Sequence, residues 1–262
     1  MKTEYLFQFQ SAVDTAEGKS DNHYHNNYEI YYLTQGQCRY FIDKHSYLIS
    51  AGDVAVIPPG VIHKTVYETP THSRKLINCG AWFIPATVRE KVGEFPCFTG
   101  SPATQKQIER IFAAIEREKE APDEFFTDSI RARMAQLLLL IARESRSVER
   151  RQSESPIVEK AVAEIRRQYA KTVTLEGVAA ACFVSKEHLS RTFRRETGFG
   201  FSEYLNLYRL KRADMLLRER PDMRVVDVAM QCGFNDSNYF SKVYKKMFGI
   251  SPKQAQKEKD DV

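Results

Sequence analysis

CFVSKEHLSRTFRRETG at 182–198 and GFNDSNYFSKVYKKMFG at 233–249 are two versions of one pattern within this chain. At an offset of 51 residues, Phe183 aligns with Phe234, Leu189 with Phe240, Ser190 with Ser241, Arg191 with Lys242 and Phe193 with Tyr244. A short apolar pattern precedes each copy, Leu175-Val178-Ala179 and Val225-Val228-Ala229. There the offset is 50, so the second turn holds one residue more. Each unit reads as a short helix, a tight turn and a longer helix, which is the sequence form of a helix-turn-helix. Ala179 and Ala229 let the first helix lie close against the second. Ser185 and Asp236 suit the N-cap of the longer helix, and Gly198 and Gly249 stand where a left-handed residue ends it.

Helical periodicity sorts the side chains of the longer helices into two faces. Leu189, Thr192 and Phe193 point to a core, as do Phe240, Val243, Tyr244 and Met247. Outward lie Ser185, Lys186, Glu187, Ser190, Arg191 and Arg194 in the first copy, and Ser237, Asn238, Ser241, Lys242 and Lys245 in the second. Hydrogen-bonding side chains on the first turns of such helices suit base edges and phosphates in a major groove. A solvated face is the plain alternative for one charged helix, but a duplicated arrangement with matching polar positions argues against it.

Working outward, 201–219 reads as a long helix buried through Tyr204, Leu205, Tyr208, Leu210, Ala213 and Leu217, holding the two units apart. Two recognition helices enter successive major grooves when they stand about 34 Å apart. Arg209, Lys211 and Arg212 on this helix are candidates either for phosphate contacts or for ordinary solubility. Charge agrees with a polyanionic partner: 156–262 holds 20 Lys+Arg against 14 Asp+Glu, whereas 1–155 holds 19 against 20.

The run VAMQCGFNDSNYFSKVYKKMFGISP at 228–252 is a long, specific match, and 173–252 resembles the AraC/XylS family of bacterial regulators. The resemblance implies base contacts from Ser185, Glu187, Ser190 and Arg191, and from Ser237, Asn238, Ser241 and Lys242. Family members usually follow the Ser-Pro with a Tyr-Arg pair; Ala255 and Gln256 stand there instead.

The first part of the chain is different. Short alternating runs at 28–33, 38–42, 47–49 and 54–57 are separated by Gln35-Gly36, Ala51-Gly52-Asp53 and Pro58-Pro59-Gly60. They predict a β-sandwich or small barrel. Within it His23, His25 and Glu29 have HxHxxxE spacing, with Gly36, Gly52, Pro58, Gly60 and His63 downstream. This set resembles the two cupin motifs, the second with Tyr67 in place of its final asparagine. Three imidazoles and a carboxylate could hold Fe, Mn, Ni or Zn, or could hydrogen-bond an effector or one another. Regulators of the resembled family carry an N-terminal cupin-like sensor that usually binds a small molecule without metal. Tyr31 and Leu33 share the Glu29 side of their strand. Tyr31, Tyr40 and Trp82 are candidates to stack on an effector, or plain core aromatics.

Beyond the strands the period turns helical. Ile108, Ile111, Phe112 and Ile115 form one stripe, and Ile130, Met134, Leu137, Leu138 and Ile141 another. Leu139 and Leu140 widen the second face, either for the domain's own core or for a dimer partner. SRSVERRQSESP at 145–156 reads as a linker. Five scattered cysteines without a CxxC pair read as reduced, buried thiols. No apolar run nears membrane-spanning length, and the first ten residues lack a signal-peptide core.

The expectation is therefore a two-domain α+β chain. A cupin-like β-barrel sensor at 1–103 is followed by a helical dimerisation segment at 104–148, a linker at 149–156 and an all-α double helix-turn-helix at 157–257, with units near 175–196 and 225–248. Its reading is a cytoplasmic regulator, not an enzyme, binding double-stranded DNA at an asymmetric site and a small effector at His23, His25, Glu29, Tyr31, Tyr40, His63 and Trp82. A homodimer and RNA polymerase are its further expected partners. No cofactor is expected, a divalent metal at His23, His25, Glu29 and His63 being the alternative. Two other readings stand beside it: a metal-dependent cupin enzyme with an appended DNA-binding module, and a regulator answering to a partner protein or directly to a metal.

Overall fold

The structure, a computed structural model, describes residues 6–14, 25–92, 97–144 and 156–257. The chain forms two compact units, residues 1–154 and 155–262. Most of 145–156 and His23 fall outside the described residues, so the linker and one expected ligand have no structural account.

The first unit contains strands β1 (Phe7–Asp14), β2 (Tyr28–Gln35), β3 (Gln37–Ile42), β4 (His45–Ser50), β5 (Asp53–Ile57), β6 (His63–Tyr67), β7 (His72–Cys79) and β8 (Cys97–Thr99). A 3-10 turn at Ala81–Phe83 and helices α1 (Ala86–Arg89), α2 (Pro102–Glu120) and α3 (Phe126–Glu144) complete it. The strands make two antiparallel sheets, ordered β1-β7-β2-β5-β8 and β4-β3-β6. Among the described residues the expected barrel is thus an open two-sheet sandwich, because β3, β4 and β6 pair only with one another. Side chains, not a ladder, join the sheets.

Strand β2 shows how the layers form. Residues 28–33 are all buried, and pleating divides them between two cores. Tyr28, Ile30 and Tyr32 join Val54, Val56 and the buried stripes of α2 and α3. Tyr31 and Leu33 join Cys38, Tyr40, Ile42, Tyr47, Ile49, Ala55 and Ile57 between the sheets. Tyr32 stacks on Phe112, with ring centroids 4.9 Å apart. Both helical stripes are buried as the periodicity predicts. Leu139 and Leu140 pack against this same core while staying half-exposed. Gly36 turns β2 into β3 at φ 85°; a Cβ there would lie 2.5 Å from Thr69 Oγ1 and 2.7 Å from the Thr71 carbonyl.

The second unit is all helical: α4 (Pro156–Gln168), α5 (Leu175–Ala181), α6 (Lys186–Thr197), α7 (Phe201–Glu219), α8 (Val225–Gln231), α9 (Ser237–Phe248) and α10 (Pro252–Ala255). Val158, Ala161, Val162 and Ile165 of α4 are fully buried, as are Leu189 and Phe193 of α6 and Tyr204 of α7. Phe193 meets Tyr204 edge-on, with centroids 5.5 Å apart. A second core gathers Leu210, Ala213 and Leu217 of α7 with Val228, Ala229, Phe234, Phe240, Tyr244 and Ala255. Ala255 is fully buried, and Gln256 donates to the Met223 carbonyl at 2.6 Å. The last helix is therefore docked without the Tyr-Arg pair. The cysteines Cys38, Cys79, Cys182 and Cys232 are buried, Cys97 is half-buried, and all five are free thiols. No helix of the described residues is long and apolar enough to cross a membrane.

Candidate nucleic-acid interface and effector site

The two helix-turn-helix units share backbone hydrogen bonds at an offset of 50 residues through the turn. Val184 N–H donates to the Ala179 carbonyl at 3.0 Å, and Phe234 N–H to the Ala229 carbonyl at 2.9 Å. Phe183 thus corresponds in the backbone to Gly233, not to Phe234, and Asn235 is the extra residue. Both turn residues have positive φ, 60° for Phe183 and 85° for Gly233. Phe234 is buried in the second core, whereas Phe183 is 91% exposed.

The caps position both recognition helices. Ser185 Oγ accepts from His188 N–H at 3.2 Å, and Asp236 Oδ1 accepts from Asn238 N–H at 2.7 Å and Tyr239 N–H at 3.1 Å. Gly198 and Gly249 end the helices at φ 73° and 76°. Leu189, Thr192, Phe193, Phe240 and Tyr244 are buried, with Val243 and Met247 packed beside the second core. Ser185, Lys186, Glu187, Ser190, Arg191 and Arg194 are exposed, as are Asn238, Lys242 and Lys245; Ser237 and Ser241 are half-buried. Lys186 Nζ lies 3.2 Å from Glu176. Ser241 Oγ donates to the Ser237 carbonyl at 2.9 Å, so its oxygen keeps only acceptor capacity.

Arg209 serves the interior of the unit. It donates to the carbonyls of Tyr169 at 2.8 Å and Lys171 at 2.9 Å, bracing the end of α4 against α7. The Arg212 guanidinium lies 5.9 Å from the Tyr169 ring centroid. Sequence reasoning also missed Asp214, which is buried on α7 beside the apolar positions Leu210, Ala213 and Leu217. It accepts from Tyr244 and pairs with Arg218 at 3.2 Å.

In the first unit, β2, the segment just before it and β6 bring Glu29, His25 and His63 together, with polar side-chain atoms within 4.8 Å of one another. Glu29 Oε2 lies 3.3 Å from His25 Nε2 and 3.6 Å from His63 Nε2, and Glu29 Oε1 accepts from the Tyr40 hydroxyl at 2.5 Å. Burial alone would raise the Glu29 carboxyl. The charge of His63 and hydrogen bonds from His25, His63 and Tyr40 outweigh it and hold Glu29 well below the usual carboxylate range. Burial would lower His63, but the Glu29 charge and hydrogen bonds to Glu29 and the Val61 carbonyl keep it above an ordinary histidine. Burial, then the Glu29 charge, pushes the Tyr40 phenol far up.

Tyr31 joins this cluster through Tyr40, with ring centroids 5.1 Å apart. Its hydroxyl donates to the Tyr67 hydroxyl at 3.4 Å, which accepts from Arg74 at 2.6 Å. Tyr67 and Arg74 extend the polar interior beyond the residues marked in sequence; the β2–β7 register, pairing Leu33 with Arg74, is the signal that would have found Arg74. Trp82 is not among these groups. It lies on the other core beside Phe83, with Arg131 over its ring at 4.3 Å.

Residues 11–154 match the family model of the AraC-like ligand binding domain, and residues 178–258 match that of a helix-turn-helix domain. The chain is 27% identical over 250 residues to the HTH-type transcriptional activator RhaS of Enterobacter sp. (strain 638), covering 91% of this chain and 88% of that relative. It is also 27% identical over 252 residues to RhaS of Klebsiella pneumoniae (strain 342), covering 92% and 88%. Among solved structures it is similar to unsaturated fatty acid bound ToxT from Vibrio cholerae strain SCE256, at 12% identity and a TM-score of 0.43, covering 98% of this chain and 96% of that one. The chain belongs to the AraC family, an AraC-like ligand-binding domain followed by a helix-turn-helix DNA-binding domain, and is a DNA-binding transcription regulator.

Proposed function

We propose that a small metabolite, a sugar or a compound of similar size, binds among His25, Glu29, Tyr31, Tyr40 and His63 and sets how the double helix-turn-helix engages DNA. The observation that carries the DNA half is the pair of capped helices with buried apolar and exposed polar faces. Their outer residues differ, Arg-rich in α6 and Ser, Asn and Lys in α9, which favours an asymmetric site across two successive major grooves. The RhaS relatives are named transcriptional activators, which supports activation and RNA polymerase as a partner. The chain acts in the cytoplasm as a homodimer through 104–148, where the half-exposed Leu139 and Leu140 offer a surface, and it is not an enzyme. Effector binding shifts populations between states of different operator affinity.

Selecting bound DNA from a random pool, with and without sugars and aromatic acids, tests this. An enriched asymmetric motif whose recovery depends on one compound is expected. Recovery of no motif would overturn the DNA assignment. A motif indifferent to every compound that stabilises the protein would overturn the effector coupling.

A further inference from the structure

Each recognition helix packs on its own stretch of α7. Phe193 of α6 meets the Tyr204 ring edge-on, with centroids 5.5 Å apart, and Arg166 of α4 donates to the Tyr204 hydroxyl at 3.1 Å. Tyr244 of α9 donates to Asp214, beside the core that Leu210, Ala213 and Leu217 share with α8 and α9. About 15 Å of helix axis separates Tyr204 from Asp214. Long helices curve, and a small bend between these two anchors would swing α6 against α9.

Arg209 stands midway between the anchors. Its Nε donates to the Tyr169 carbonyl at 2.8 Å and its Nη2 to the Lys171 carbonyl at 2.9 Å, which ties the segment after α4 to the middle of α7. The turn between α8 and α9 closes on the same point. A Cβ at Gly233 would lie 2.6 Å from the Tyr169 carbonyl, 2.9 Å from Arg209 Nε and 3.1 Å from Arg209 Cζ. One guanidinium therefore touches the first helix-turn-helix unit, the connecting helix and the turn of the second unit. Rings and cations flank this joint. The Arg166 guanidinium lies 5.4 Å from the Tyr208 centroid, Tyr208 meets Tyr169 edge-on at 5.2 Å, and Arg212 lies 5.9 Å from the Tyr169 centroid. A planar fork bonded to two carbonyls keeps one orientation, which a flexible lysine ammonium does not.

We propose that Arg209 is a positioning residue for DNA recognition. By joining the segment after α4, the middle of α7 and the Gly233 turn, it fixes the offset and rotation between α6 and α9. It thereby selects the spacing of the two half-motifs that the protein accepts. This inference rests on the reading that α6 and α9 enter successive major grooves of one site. Each base pair added between the half-motifs displaces one groove by about 3.4 Å and turns it by about 35°, so a fixed pair of helices tolerates one spacing.

The test uses the full chain, first in selection from a random pool to obtain the wild-type site. Fluorescence anisotropy then measures binding to that site and to duplexes with one base pair added or removed between its two parts. For wild type the changed spacing is expected to weaken binding roughly 10–100-fold, and for Arg209→Met by only about threefold. Methionine keeps a long helix-forming side chain but has no donor fork. Arg209→Lys is expected to fall between the two, and it carries the comparison if Arg209→Met fails to fold. A role in stability alone would lower the melting temperature and weaken every spacing by the same factor. An unchanged spacing penalty in the variants would therefore overturn the inference while leaving the two-groove reading standing. A wild-type motif confined to one groove would overturn both.

Discussion

The Tyr244 hydroxyl donates to the Asp214 carboxylate and so fastens the second recognition helix to the long helix before it. Asp214 is buried and also pairs with Arg218 on its own helix, at 3.2 Å. Tyr244→Phe keeps the ring in the core and removes one hydrogen bond to a buried charge. Its expected cost is about 1.5–3 kcal/mol. Urea unfolding of the full chain, followed by far-ultraviolet circular dichroism, reads it. Asp214→Asn in the Tyr244→Phe background is expected to add less than it costs alone, since both changes break one network.

Both turns hold a residue at positive φ, so a change to glycine and a change away from it have opposite expected effects. Phe183 holds φ 60° with its side chain in solvent, a conformation that costs a non-glycine residue about 1–2 kcal/mol. Phe183→Gly loses little burial and is expected to raise stability by about 1 kcal/mol. At Gly233 a Cβ would lie 2.6 Å from the Tyr169 carbonyl and 2.9 Å from Arg209 Nε. Gly233→Ala is expected to cost about 2 kcal/mol or more, combining positive φ with a clash against the Arg209 brace. Thermal unfolding of both variants checks the pair, and a stabilised Gly233→Ala would refute the account of the turn.

The N-cap of α9 offers a narrower test. Asp236 satisfies two backbone N–H groups, so Asp236→Ala is expected to cost about 1 kcal/mol, while Asp236→Ser should recover most of it. Hydrogen exchange at Asn238 and Tyr239 reports the loss locally.

Amphipathic period made the cores of α2, α3, α6 and α9 legible in the sequence, because helices bury one stripe and solvate the other. The duplicated unit gave the caps as well. Strand β7 was harder to read. It lies between β1 and β2, yet carries Ser73, Arg74 and Lys75. Its long polar side chains run along apolar surface to distant partners: Arg74 reaches Tyr67, and Lys75 reaches Glu116 at 2.6 Å. Alternating hydrophobicity does not register such a strand. The His25–Glu29–His63 set was legible from spacing, but Tyr40 as the donor to Glu29 required the fold, since the two residues lie on different sheets. Trp82 shows the converse: aromatic character alone did not tell which of two cores it would join. The alignment of Phe183 with Phe234 matched residue types across a one-residue insertion that only the backbone hydrogen bonds locate.

On the proposed DNA interface, Arg191 and Lys245 would have different jobs. Arg191 lies on the exposed face of α6, one turn from Glu187, in the part of the helix that meets base edges in this type of unit. Lys245 lies in the last turn of α9, and on the proposed interface it would hold a phosphate rather than read a base. Arg191→Ala is expected to cost about 1–3 kcal/mol on the selected site and to relax preference at one base position. Lys245→Ala is expected to weaken matched and scrambled duplexes alike and to reduce the salt slope by about 1. Fluorescence anisotropy on both duplexes across a salt series measures each quantity. If the two variants changed matched and scrambled binding in the same ratio, the assignment of base-reading and phosphate-holding faces would be wrong.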